Sequence, residues 1–112
     1  METTQVVEAL GALAQETRLA VYRMLVEAGP AGLPAGEISA RLGLPPATAS
    51  FHLAQLSRAG LLAARSQGRF VIYSADFARM NELLGFLTEN CCGGASCAPA
   101  AQSVKVQKRR TA

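Results

Sequence analysis

The chain has 112 residues, half of them apolar, with no Trp and a formal net charge of +3. That length favours one small domain, large enough for a single core yet small enough to gain from a partner chain. No apolar run approaches the ~18 residues of a membrane span and no charged-then-apolar signal opens the chain, so a soluble, cytoplasmic protein with no membrane partner is expected.

In chain order, Thr3 and Thr4 can cap a first helix to about Ala14, with Val6, Leu10 and Leu13 at helical spacing and Val7 beside them. Gln15 to Ala28 reads as a second helix, with Leu19, Tyr22, Leu25 and Val26 on one face. The run Gly29-Pro30-Ala31-Gly32 ends it. Pro34 suits the first turn of a short third helix whose Ile38 and Leu42 face inward, and Gly43 supplies the left-handed turn after it. Pro45 and Pro46 open a fourth helix, because their missing amide hydrogens would have no partner there anyway. Its inward stripe is Ala49, Leu53 and Leu56, and Gly60 closes it. Leu61 to Ser66 and Arg69 to Ser74 read as two strands around Gln67-Gly68. Ser74 or Asp76 then caps a fifth helix to about Asn90, with Phe77, Met80, Leu83, Leu84 and Leu87 apolar. Pro99 to Ala112 has the composition of a disordered tail.

Charge is segregated along this order. Residues 38–75 hold Arg41, Arg58, Arg65 and Arg69 and no Asp or Glu, while the flanking parts of the body are acidic and four further basic residues crowd the last eight positions. A helix-turn-helix followed by a basic hairpin has the shape to place one helix in the major groove of duplex DNA and a wing alongside. The reading face would be the outward side of the fourth helix. Ala47, Thr48 and Ser50 lie near its start, Phe51 is placed to meet a thymine methyl, Gln55 a base edge or the backbone, and Arg58 its last turn. Arg65 and Arg69 would carry the wing's contacts to phosphates. His52, between Ala49 and Leu56, reads as a structural, hydrogen-bonded histidine. It is the only histidine in the chain, and no nucleophile is paired with a base, which argues against an enzyme. A dimerising interaction module without DNA is the other class, against which the acid-free stretch speaks.

Gln15-Glu16-Thr17-Arg18-Leu19, the run Ser50-Phe51-His52-Leu53 with Leu56 and Ala59-Gly60-Leu61, and Gly68-Arg69 with Tyr73 resemble the ArsR/SmtB family of metal-sensing repressors over about residues 5–90. The resemblance implies a mainly α winged helix-turn-helix fold with a β-hairpin wing, in the order ααααββα. It further implies a homodimer paired through the first and last helices, by faces of the Val6/Leu10 and Leu83/Leu87 type, and operator double-stranded DNA as the partner, released when metal binds. The tail Asn90-Cys91-Cys92-Gly93-Gly94 with Cys97 resembles the arsenic-responsive members of that family. Residues 34–42 lack the cysteine pair of many members, and residues 76–90 lack the histidines of the zinc sensors. Pro45 and Pro46 stand where the family carries a polar residue.

The organisation expected is therefore a DNA-binding and dimerisation domain over residues 1–90, a metalloid-binding segment over 91–97 and a basic tail over 98–112. Soft thiolates select soft ions, and As(III) or Sb(III) takes three sulfurs, the number that Cys91, Cys92 and Cys97 supply. Tetrahedral zinc would need a fourth ligand. No organic cofactor is expected. The same thiols could instead form a redox sensor, with Cys92 bonding to Cys97.

Overall fold

The structure is a computed structural model in which residues 1–94 are described. Among these residues the elements are helices α1 (Thr3–Leu13), α2 (Glu16–Ala28), α3 (Ala35–Leu42), α4 (Pro46–Arg58) and α5 (Phe77–Thr88), with a small sheet of β1 (Leu33–Pro34), β2 (Leu62–Gln67) and β3 (Phe70–Ala75). The mainly helical body with a hairpin wing is the fold that the sequence implies.

The helix ends are set by side chains close in sequence. At α1 the cap is Glu2 rather than Thr3 or Thr4: the Glu2 backbone N–H donates to Gln5 Oε1 at 2.9 Å, and the Glu2 side chain reciprocates. Gln15 Oε1 accepts from the Arg18 N–H at 2.8 Å to start α2, and Asp76 Oδ1 accepts from the Arg79 N–H at 2.9 Å to start α5. Pro45 and Pro46 open α4 as expected. Gly43 turns α3 into α4 at φ 65°, and the Ser39 hydroxyl donates to the Leu44 carbonyl at 2.7 Å across that turn.

Two features of the sheet differ from the sequence reading. Pro34 caps α3 from outside the helix, and with Leu33 it forms a third strand antiparallel to β3, giving the order β1-β3-β2. Two residues are too few to show alternation, so this strand exists only through its partner. The hairpin loop is Gly68-Arg69 rather than Gln67-Gly68, since Gln67 pairs with Phe70. Glycine at the first loop position suits the tight turns that match strand twist.

Leu25, Ile38, Leu53, Leu56, Leu61, Leu83 and Val21 are fully buried, so α2, α3, α4, the strand β2 approach and α5 all meet in one core. Burying each such side chain is worth about 1.5–3 kcal/mol. On α2 Tyr22 and Leu25 point inward as expected, joined by Val21, while Leu19 and Val26, expected on the same face, are exposed. The dimerisation residues need the same correction. Val6 (3% exposed) and Leu83 (2%) lie inside the chain's own core and have no surface left for a partner. Leu10 and Leu87 are exposed, and their neighbours are Val7 and Leu84. An unpartnered apolar face therefore does exist on α1 and on α5, made of Val7, Leu10, Leu84 and Leu87.

Candidate nucleic-acid interface

α4 carries no acidic residue, and its N-terminal turn has no side-chain cap, which leaves the first backbone N–H groups and the positive end of the helix dipole facing outward. Ala47, Thr48 and Ser50 are all exposed there. Phe51 is 55% exposed, too much for a core filler, and its ring meets the edge of His52 with centroids 5.6 Å apart. Ala47, Phe51, Ala54 and Arg58 are exposed at helical spacing and make one outward stripe along α4. Gln55 lies on its flank, half-buried, and accepts a bond from the Arg58 guanidinium at 3.3 Å. His52 is buried as expected of a structural histidine, but its Nδ1 has no hydrogen-bond partner among the described residues.

The arginines of the acid-free stretch divide into different roles. Arg41 pairs with Glu37 one turn back on α3, so much of its charge is matched locally. Arg65 donates to the carbonyls of Ala31 at 2.9 Å and Pro30 at 3.5 Å, tying the wing to the turn before β1. Its place is that of a brace with its charge held near the wing base. Arg69 sits in the exposed loop of the wing, beside Phe70, which is 62% exposed. Sequence reasoning took Phe70 for a strand former only. Its pairing with Gln67 at the end of the ladder, where no third strand covers it, is what exposes the ring.

The thiols lie after α5. Asn90, Cys92 and Gly93 all take left-handed φ near 60°, so the chain coils tightly as soon as the helix ends. Cys91 is a free, exposed thiol, and Cys92 is disulfide-bonded. Cys97 and the basic tail lie outside the described residues. Among the described residues no three His, Cys, Asp or Glu side chains form a cluster that could hold a metal ion. Two of the three thiols of the expected site are thus adjacent and at the end of the helix that bears the exposed Leu84 and Leu87.

A helix-turn-helix domain model matches residues 13–65. The transcriptional activator HlyU of Vibrio cholerae is 34% identical over 83 residues, which cover 74% of each chain. The solved structure of HlyU from Vibrio cholerae aligns with a TM-score of 0.61 at 37% identity, over 78% of this chain and 97% of that one. The homodimeric winged helix-turn-helix domain of Mb0332 from Mycobacterium bovis, a possible ArsR-family regulator, aligns with a TM-score of 0.62 at 26% identity, over 83% and 86%. A possible transcriptional regulator for arsenical resistance gives 0.63 at 25%, over 71% and 80%. No helix among the described residues is long and apolar enough to cross a membrane. A helix-turn-helix followed by a hairpin wing and these relatives agree: the chain belongs to the ArsR family of winged helix-turn-helix transcriptional regulators.

Proposed function

We propose that this DNA-binding regulator is a homodimeric repressor that releases its operator when As(III) or Sb(III) is bound by the thiolates of Cys91, Cys92 and Cys97. The observation that carries the reading is the position of the Cys91–Cys92 pair, which only Glu89 and Asn90 separate from the end of α5, the helix on which Leu84 and Leu87 are exposed. Likeness to the homodimeric Mb0332 domain supports pairing, and likeness to a possible regulator for arsenical resistance supports the ligand class.

Two chains paired through Val7, Leu10, Leu84 and Leu87 set two α4 helices over half-sites one DNA turn apart, about 34–36 Å. Thr48, Ser50 and Gln55 reach phosphates and base edges, Phe51 a thymine methyl, and Arg58 and Arg69 the backbone. Cys91, Cys92 and Cys97 would hold the ion, since soft thiolates are the ligands that a soft ion such as As(III) or Sb(III) would select. Gathering them closes the segment after α5 into a loop and biases the dimer face from which α5 hangs. A coupling of about 1–3 kcal/mol is typical for such linkage. Cys92 must be reduced before its sulfur can serve.

That disulfide favours a second reading, in which thiol oxidation rather than metalloid binding sets DNA affinity. The curated relative is called an activator, so the sign of regulation also belongs to the test. The experiment is fluorescence anisotropy of labelled operator, titrated with arsenite under reducing conditions and separately, with the reductant removed from pre-reduced protein, with an oxidant. Release by arsenite that is lost in Cys91→Ser and Cys92→Ser supports the metalloid reading. Release by oxidant alone supports the redox one, and a Cys91→Ser/Cys92→Ser double variant that still lets go on arsenite ends the first.

A further inference from the structure

A groove of about 250 Å³ opens between α1, α2 and the last turn of α4, apart from the cysteines and beside the outward stripe of α4, with which it shares Gln55 and Arg58. Its polar lining is Glu8 from α1, Arg18 from α2, and Gln55 and Arg58 from α4, with Gly11 and Ala12 between them.

The state of each polar group points to a missing partner. Arg18 is half-buried, and its one hydrogen bond runs from Nε to the Ala12 carbonyl at 2.7 Å, which leaves both terminal nitrogens to donate elsewhere. The Arg58 guanidinium bonds only the neutral Gln55 Oε1, and that bond turns the Gln55 amide nitrogen into a spare donor. The ion pairs among the described residues belong to Arg23, Arg41 and Arg79, so neither groove arginine is matched by a carboxylate. Glu8 lines the same groove and pairs with neither of them. Two unmatched guanidiniums with a spare amide form a fork for a planar carboxylate, since Arg presents paired donors at that geometry. Glu8 accepts only, so it repels a bare dianion and favours a ligand with a hydroxyl or ammonium beside its carboxylate.

We propose that this groove binds a small hydroxy- or amino-carboxylate, its carboxylate held between Arg18 and Arg58 and its hydroxyl or ammonium donating to Glu8. A compact anion of this class fits the volume, and a peptide helix or a duplex does not. Bound there, it links α1 and α2 to the end of the reading helix, at a site independent of the cysteines.

The test is calorimetric titration of the DNA-free, reduced, full-length protein with L-malate, L-glutamate, succinate and inorganic phosphate at low ionic strength. Saturable binding of malate or glutamate, one per chain, at about millimolar Kd or tighter is expected, with succinate and phosphate weaker by about tenfold. Glu8→Gln should remove that preference, and Arg58→Ala should weaken binding by about tenfold or more. Arg58 is exposed and lies outside the core, and Arg18→Lys keeps the charge while losing the fork, so folding does not cloud either result. Absence of saturable binding by both malate and glutamate overturns the proposal. So does affinity unchanged in both arginine variants, or succinate or phosphate binding as tightly as the two ligands.

Discussion

Arg79, in the first turn of α5, lies so closely over Gly60, at the end of α4, that a Cβ on Gly60 would sit 2.9 Å from Arg79 Nε. The contact joins the start of α5 to the turn that follows α4. Gly60 also has φ 82°, where an L side chain is strained. Gly60→Ala should therefore destabilise the fold by about 1–2 kcal/mol, seen as a lower denaturation midpoint in urea. A midpoint equal to the wild type would show that the loop relaxes and that Arg79 is free to move aside.

Tyr22 is buried with no hydrogen-bond partner for its hydroxyl among the described residues, and burial, reinforced by the nearby Asp76 carboxylate, raises its pKa above 10.0. A raised folded-state value means that the native state holds the phenol proton more tightly than the unfolded chain. Its contribution to stability is complete below pH 10 and is lost as pH rises from there through the folded value. Tyr22→Phe should flatten the loss of stability above pH 10, measured by urea melts across that range. At pH 7 the same variant should cost less than about 1 kcal/mol, because no hydrogen bond is broken.

Arg65 and Arg69 should separate in DNA binding. Arg69→Ala removes an exposed charge from the wing loop, so affinity should fall and the salt dependence flatten by about one unit. Arg65→Ala unties the wing from Pro30 and Ala31, so affinity should fall with the slope nearly unchanged. Anisotropy at several salt concentrations distinguishes them, and equal slope changes would return Arg65 to the phosphate contacts.

On α5, adjacent leucines should have opposite consequences. Leu83→Ala opens the core and should cost about 2–5 kcal/mol. Leu84→Glu and Leu87→Glu leave the core alone and should give a folded monomer by sedimentation with a wild-type circular dichroism spectrum. A dimer that survives both glutamates would place the pairing surface elsewhere.

The order of elements, the helix-turn-helix with its Gly43 turn, the Pro46 start of α4 and the outward Phe51 were legible in the chain, because caps, turns and helical period are written within a few neighbouring residues. Tertiary structure alone decided which member of Val6-Val7 and of Leu83-Leu84 faces inward, since adjacent apolar residues satisfy the helical period about equally well and only packing chooses between them. It alone made Leu33–Pro34 a strand, gave Arg65 carbonyl partners more than 30 residues away, and brought Glu8, Arg18, Gln55 and Arg58 around one groove. Those pairings join segments far apart in sequence, and no local pattern of side chains encodes a partner that only the folded core brings near.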